Sequence, residues 1–278
     1  MKAPLSLMAS AVALSLLAAP AHAADWSDTA ISYRYGTDFS EPGIARDVRK
    51  NILGLTHVSG FKYGSNFFNV DILASDKADP ANNSTAGAQE VYVVYANQLH
   101  YSKITGNKIA FGPVTDFAWQ TGFDLNSKDT AFAPRVRKLI TGPVVKFGGA
   151  LGWADLGVLL YKEKNHNGIV GKDVDFKPTY RIAAAWGLTF DAGPVPLKFN
   201  GFANYTGKKG KDGFGNETDP ETWADAFLMV DVGKLTTGKK DTFLAGVGYE
   251  LVKGKFGSQH GSTGSLTRTP MIKAEWHL

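Results

Sequence analysis

Residues 267–278 read TRTPMIKAEWHL, and this stretch decides the fold. From position 272 onward its apolar side chains share one parity and are Ile272, Ala274, Trp276 and Leu278. The side chains of the other parity are polar and are Lys273, Glu275 and His277. Because alternate residues of a strand point to opposite faces, the stretch predicts a β-strand between an apolar and an aqueous medium. A strand of a barrel that crosses a membrane requires this arrangement.

The chain begins with the features of a secretory signal peptide. Met1-Lys2 precedes an apolar run over residues 5–19 and the small-residue sequence Ala21-His22-Ala23. An uncleaved membrane anchor is the alternative, but it needs about 20 apolar residues, and the acidic Asp25 and Asp28 follow at once. We therefore expect cleavage after Ala23, so that residues 1–23 are the signal peptide and residues 24–278 form an outer-membrane β-barrel.

The composition narrows the class of protein. The sequence contains no cysteine, so no disulfide framework stabilises the exported chain. The formal net charge is only +4, because basic and acidic residues are nearly balanced. This balance gives no reason to expect a nucleic-acid partner. Aromatic residues make up 12% of the chain and glycines number 31, a composition that favours many short strands joined by turns.

About twelve segments of the mature chain alternate like the last one. They cover residues 28–35, 49–59, 65–75, 89–102, 114–126, 134–147, 152–163, 176–191, 195–206, 223–233, 242–253 and 267–278. The pattern leaves the registers of the second and sixth segments open, since Gly142-Pro143 interrupts the sixth. With an even number of antiparallel strands, both ends of the chain lie on the same side of the membrane, and the last strand can pair antiparallel with the first. We therefore predict an all-β fold, a transmembrane antiparallel up-and-down β-barrel of about 12 strands.

The connections between these segments sort by parity. Those after odd segments are mostly long and polar and cover residues 36–48, 76–88, 127–133, 164–175, 207–222 and 254–267. Those after even segments include short ones at residues 60–64, 148–151 and 192–194, although 102–113 and 234–241 are longer. Long loops on one side and short turns on the other are typical of outer-membrane barrels. The sequence therefore predicts a location in the bacterial outer membrane.

Several motifs give the chain a family resemblance. They are Tyr33-Arg34-Tyr35-Gly36, the run KYGSNFFNVD at residues 62–71, Gly210-Lys211-Asp212, Lys255-Phe256-Gly257 and Thr269-Pro270-Met271. Together they resemble the nucleoside-specific channel-forming (Tsx-type) outer-membrane proteins and their "outer envelope protein" relatives, over essentially the whole mature chain. The resemblance is better to the envelope-protein branch. It implies a twelve-stranded barrel that passes nucleosides by facilitated diffusion, and it transfers no substrate residue position by position.

The inward parity of the segments supplies candidate solute-binding residues. Charges of both signs lie on it, so no single-sign field selects an anion or a cation. Aromatic rings share it, and rings stack on nucleobases with about 1–3 kcal/mol per base. The candidate lumen residues are Arg34, Phe67, Asp71, Tyr92, Asp116, Tyr161, Arg181, Phe202, Asp225 and Phe227. For any one of them, filling space or pairing with another charge is the commoner role.

Two other functions remain open at this level. A general small-solute porin or a structural barrel fits the same pattern. A lipid hydrolase is the rival from another class, because His100 and Ser102 have the spacing of a barrel phospholipase pair. The predicted register turns His100 inward at the periplasmic end, away from outer-leaflet lipid, so we predict no enzyme.

The expected partners follow from the predicted location. They are outer-membrane lipid and lipopolysaccharide, a nucleoside-like small permeant, and periplasmic chaperones and the barrel assembly machinery during biogenesis. We expect a monomer, and no cofactor or metal is predicted, since the Asp76–Asn83 spacing fits no calcium loop. The basic loop 208–211 offers cations to lipopolysaccharide phosphates, although such charge runs are more often solvated.

Overall fold

A computed structural model describes residues 24–109 and 111–278. The expected signal peptide, residues 1–23, lies outside the described residues. Among the residues described, no helix has the length and apolar character needed to cross a membrane.

Strands dominate the described residues. They are β1 (Ala24–Phe39), β2 (Val48–Phe61), β3 (Gly64–Ser75), β4 (Gln89–His100), β5 (Val114–Lys128), β6 (Arg135–Gly149), β7 (Gly152–Asn167), β8 (Lys172–Asp175), β9 (Thr179–Ala192), β10 (Val195–Thr206), β11 (Glu221–Asp231), β12 (Phe243–Lys253) and β13 (Leu266–His277). Two short helices, α1 (Tyr101–Thr105) and α2 (Val232–Thr237), lie in connections. A 3₁₀ turn covers Lys255–Gly257.

The sheet closes on itself. β1 pairs antiparallel with β13, where Tyr33 faces Ala274, and β6 and β7 pair between Arg137 and Gly152. The short β8 pairs only with the outer end of β7, which also pairs with β9. The wall is therefore a closed 12-stranded antiparallel barrel, with β8 as an extension above it. The predicted fold class is confirmed, and the closing strand β13 extends to His277 as its alternation predicted.

The barrel is apolar outside and charged inside. Large hydrophobic side chains that are exposed on its outer wall include Ile31, Leu53, Ile72, Val91, Trp119, Leu139, Leu160, Val247, Ile272 and Trp276. Charged side chains that are buried within it include Lys50, Glu90, Asp124, Lys138, Glu163, Arg181, Asp225 and Glu250. In water the reverse distribution is the rule. This arrangement is that of a barrel whose outer wall faces lipid.

The two ends of the barrel differ in loop length. The long outer loops are L1 (40–47), L2 (76–88), L3 (129–134), L4 (168–178), L5 (207–220) and L6 (254–265). At the other end the connections 62–63, 150–151 and 193–194 are tight, and Gly193 has a φ of +61°, which suits a two-residue turn. Each of the two longer connections at that end contains a short helix, α1 or α2, which accounts for part of its length. We therefore take the turn end as periplasmic.

Apolar side chains also fill part of the interior. One buried cluster lines the inner wall of β1, β2 and β11 to β13 and contains Phe39, Val48, Ile52, Phe227, Met229, Leu244 and Met271. A second, on β5 to β7, contains Ala118, Ile140, Val144, Leu159 and Tyr161. These clusters occupy part of the lumen and leave less room for a solute.

A candidate solute constriction in the lumen

An aromatic contact spans the lumen in the half that lies next to the outer loops. The ring of Tyr92 on β4 meets the ring of Trp223 on β11 edge to face, with centroids 5.9 Å apart. β4 and β11 are opposite strands, because five strands separate them on either side of the barrel. Phe202 on β10 extends this aromatic bridge, with its ring centroid 6.5 Å from that of Trp223. Any solute that crosses the barrel at this height must pass these rings.

Hydrogen bonds fix the Tyr92 end of the bridge. The Lys138 ammonium donates to the Tyr92 hydroxyl at 2.7 Å, and this hydroxyl donates to Asp124 at 3.1 Å. Lys138 Nζ also lies 5.3 Å from the centroid of the Tyr92 ring, within range of a cation–π contact. The phenol is therefore held in one orientation by two charged neighbours on β5 and β6.

One flank of the bridge is rich in carboxylates. Arg34 on β1 forms an ion pair with Asp71 at 2.5 Å and approaches Asp225 at 3.7 Å. Asp225 in turn faces Glu250 on the neighbouring β12, which adds a third acidic group to this flank. Gly54 on β2 makes room for the arrangement, because a Cβ there would lie 2.6 Å from Ser32 Oγ and 3.0 Å from Asp71 Oδ1.

Several buried polar atoms on this flank have no hydrogen-bond partner among the described residues. They are Arg34 Nε, Asp71 Oδ1, Asp225 Oδ1 and the indole nitrogen Trp223 Nε1. Two are donors and two are acceptors. A buried polar group without a partner is costly, and such groups are few in folded proteins. Their concentration beside the aromatic bridge marks a place where a polar, ring-bearing solute finds both kinds of hydrogen-bonding group.

The opposite flank is more fully paired. Arg181 on β9 stacks on the Tyr161 ring at 4.5 Å and lies 3.8 Å from Asp124. The Tyr161 hydroxyl donates to Glu163 at 2.5 Å, and Glu163 also accepts from Lys209 of L5 at 2.5 Å. These contacts tie L5 to the inner wall of β7.

Outer loops are pinned into the mouth of the barrel by a buried ionic cluster. Glu41 of L1 forms ion pairs with Lys50 of β2, with Lys128 of β5 at 3.1 Å and with Lys255 of L6 at 2.7 Å. Lys128 also contacts Asp79 of L2 at 2.7 Å. Burial raises the pKa of the Glu41 carboxyl, but the three ammonium groups outweigh burial and hold this pKa well below its usual range. We call Glu41, Lys50, Asp79, Lys128 and Lys255 the mouth cluster.

The periplasmic half of the lumen contains a polar cluster and an accessible ring. Lys146 donates to Gln98 and to Asp155, each at 2.7 Å, across β4, β6 and β7. Phe67 on β3 points into this region and remains 39% exposed. A solute that leaves the constriction therefore meets a polar wall with one accessible ring.

Asp116 has a structural role at the periplasmic end. Its Oδ1 accepts from the backbone N–H groups of Ser102 at 3.0 Å and of Phe117 at 2.9 Å, and its Oδ2 accepts from the Ser102 hydroxyl. His100 Nε2 lies 3.1 Å from Ser65 Oγ, whereas His100 Nδ1 is 4.0 Å from Asp116. The last distance is too long for a hydrogen bond that orients a catalytic base. This cluster fixes the connection around α1.

The candidate residues separate into groups. Arg34, Asp71, Tyr92, Phe202 and Asp225 meet at the constriction, and Tyr161 and Arg181 lie on its paired flank. Phe227 belongs to the apolar inner wall, where Lys273 Nζ lies 5.1 Å from its ring centroid. Phe67 and Asp116 lie near the periplasmic end.

Sequence reasoning missed Trp223, the partner of Tyr92. The residue stands at the start of the predicted tenth segment, where no face was assigned to it. Its parity is that of Asp225, a candidate lumen residue on the same strand, and this signal was sufficient to place the indole inside.

Comparisons with known proteins find structures of similar architecture but no related sequence. No family model matches the chain, and no curated protein matches its sequence. Among solved structures, a KdgM porin is 12% identical, with 89% of this chain and 98% of that chain covered and a TM-score of 0.44. A NanC porin is 9% identical, with 89% and 100% covered and a TM-score of 0.45. The translocator domain of the autotransporter NalP from Neisseria meningitidis is 11% identical, with 98% and 95% covered and a TM-score of 0.44. Similarities at this level carry no argument about the solute, and the nucleoside-channel family stays a resemblance of motifs.

Proposed function

We propose that the protein is a passive channel of the bacterial outer membrane for small, uncharged, ring-bearing solutes, with nucleosides as the preferred class. The observation that carries the proposal is the Tyr92–Trp223 contact across the lumen, beside unpartnered donors and acceptors. In this proposal the exported chain loses residues 1–23, is assembled by periplasmic chaperones and the barrel assembly machinery, and works as a monomer.

The chemistry of a nucleoside matches the constriction in two respects. A base stacks on the rings of Tyr92, Trp223 or Phe202, with about 1–3 kcal/mol per base. The ribose hydroxyls and the base edge donate to the free carboxylate oxygens of Asp71 and Asp225 and accept from Trp223 Nε1 and Arg34 Nε.

The charge distribution favours solutes without net charge. Arg34 with its three acidic neighbours lies on one flank, and Asp124 with Lys138 and Arg181 lies on the other. Both signs therefore face the passage at the same height. Such a constriction offers a neutral dipolar solute favourable contacts without the strong single-sign field that selects ions.

Transport by facilitated diffusion also limits the affinity. A solute must bind well enough to enter and weakly enough to leave. We expect dissociation constants at about the millimolar level, which corresponds to roughly −4 kcal/mol.

Current block in planar bilayers tests the proposal. The purified barrel is inserted, and open-channel current is measured while nucleosides, free bases, sugars and amino acids are added separately. We expect nucleosides to reduce the current at about millimolar concentrations, and free bases to block less because they lack the ribose hydroxyls.

The same experiment contains the outcomes that overturn the proposal. A conducting pore that is indifferent to the whole panel leaves a general small-solute porin. Block by sugars or amino acids alone keeps the channel and discards the nucleoside. Absence of conductance leaves a structural barrel.

A further inference from the structure

A basic patch lies outside the lumen on the outer wall of β6 and β7. Arg135, Arg137, Lys162 and Lys164 all have the outward parity of their strands and stand at the ends next to the outer loops. Between the two lysines, Glu163 points inward and is buried. The strand pattern therefore places cations outside and the carboxylate inside at the same height.

Two of these cations repel each other. Arg137 and Lys164 face each other directly across the β6–β7 pair. Like charges in directly opposite positions destabilise a sheet. Arg137 is exposed and has no ion-pair partner among the described residues. An anion that touches both side chains relieves this repulsion.

Nearby carboxylates neutralise the patch only in part. Asp175 of β8 pairs with Lys162 at 2.6 Å, and Asp173 lies 3.8 Å from Lys164 and 3.9 Å from Arg135. Both carboxylates belong to β8, the extension above the barrel wall. The patch therefore contains four cations and only two neighbouring carboxylates. Its net charge is positive on the outer wall of the barrel.

The wall directly below the patch is apolar. Leu139 faces Lys162 in the register of β6 and β7, and Leu160 follows one step further toward the middle of the barrel. Both leucines are exposed on the outer wall. A ligand that combines an anionic group at the height of Arg137 with acyl chains along Leu139 and Leu160 matches this surface. A soluble anion matches only its upper part.

We infer that this patch is a binding site for a phosphorylated outer-leaflet lipid, the lipid A portion of lipopolysaccharide, whose phosphate lies between Arg137 and Lys164. Clusters of Lys and Arg beside a membrane bind anionic lipid headgroups, with a contribution from each cation. The basic loop 208–211 is a poorer candidate, since Lys209 is buried against Glu163 and Lys208 pairs with Asp219 at 3.2 Å. The inference is independent of which solute crosses the lumen.

Native mass spectrometry of the full barrel in detergent tests the site, with lipid A and fully dephosphorylated lipid A as probes. We expect retention of lipid A and a clear preference for it over the dephosphorylated lipid. The double variant Arg137→Gln/Lys164→Gln should weaken lipid A binding by about 25-fold, since each cation contributes about fivefold. The control Lys208→Gln/Lys211→Gln removes the same charge from L5 and should bind like the unaltered protein.

Three results would overturn the inference. They are equal retention of the dephosphorylated lipid, an equal loss in the control, and full displacement of lipid A by millimolar inorganic phosphate, which would indicate a site for soluble anions. Heat-modifiable migration on gels shows whether each variant is folded. If the double variant does not fold, Asp173→Asn provides the test. It removes a competing carboxylate and should tighten lipid A binding, and unchanged or weaker binding contradicts the site.

Discussion

The rings of Tyr92 and Trp223 stand on opposite strands of the barrel, and their centroids are 5.9 Å apart. Because the contact joins opposite strands, it narrows the passage between them. Trp223→Ala removes one of the two rings that form this contact. We expect single-channel conductance to rise and nucleoside block to weaken by about 1–3 kcal/mol if the indole stacks on the base.

Phe117→Ala is the matched control for that substitution, because Phe117 is an exposed aromatic side chain on the outer wall of β5. It should change neither conductance nor block. Unchanged nucleoside block in Trp223→Ala, or equal effects of the two variants, would remove the aromatic bridge from the transport mechanism.

The barrel was predictable from the sequence because its wall has a period of two. In β13 successive residues face different media, and the side on which Ile272 or Lys273 lies follows from that alternation alone. The contact of Tyr92 with Trp223 has no such signal, because it depends on closure of the sheet and on which strands become opposite. The pairing of Glu41 with Lys128 depends on the path of L1, and loop paths follow no period.

Removal of the Arg34 side-chain charge should change ion selectivity. Arg34→Gln leaves Asp71 and Asp225, with Glu250 facing Asp225, without the guanidinium that pairs with the two aspartates. We expect a shift of the reversal potential toward cation selectivity under a salt gradient. Loss of one partner of a buried ion pair also costs about 3–5 kcal/mol, so the thermal unfolding temperature should fall.

The double variant Arg34→Gln/Asp71→Asn separates charge from shape, because Asp71 is the direct ion-pair partner of Arg34. It removes one positive and one negative group, and the reversal potential should return toward that of the unaltered channel. A reversal potential that does not respond to either variant would show that ions do not pass beside Arg34.

Surface labelling tests which end of the barrel faces outward. The chain contains no cysteine, so single cysteines report without background. Cysteines at the exposed positions Ser262 of L6 and Lys211 of L5 should react with an impermeant thiol reagent on intact cells. One at exposed Asn107, beyond α1, should react only after the outer membrane is opened. The reverse pattern would invert the assigned orientation and place the basic patch in the inner leaflet.

The group of side chains around His100 at the periplasmic end should have no hydrolase activity. His100 is close to Ser65, but Asp116 accepts hydrogen bonds from Ser102 and is 4.0 Å from the imidazole. Purified barrel should therefore release no fatty acid from phospholipid, and His100→Ala and Ser65→Ala should behave like the unaltered protein in this assay. Lipid hydrolysis that disappears in both variants would assign an enzyme to this lumen.

The mouth cluster should keep the outer loops in place over a wide range of pH. Glu41 is held as a carboxylate by Lys50, Lys128 and Lys255, which keep its pKa well below the ordinary value of 4.5. A carboxyl group with a depressed pKa stabilises the folded loops above its unfolded pKa, and this stability is lost only as the pH falls through the lower, folded value. Conductance should therefore be constant from neutral pH to about pH 5 and rise only at more acidic pH, as the loops leave the mouth.

Glu41→Gln imitates that protonation at neutral pH. The amide keeps the shape of the side chain and leaves three buried ammonium groups without their shared carboxylate, a loss of about 3–5 kcal/mol. We expect higher conductance at pH 7 and faster protease cleavage in L1 and L6, without the acidic transition. Glu217→Gln, at an exposed carboxylate of L5, is the control and should keep the acidic transition. A Glu41→Gln channel that matches the control in conductance and protease resistance would mean that the mouth cluster does not hold the loops.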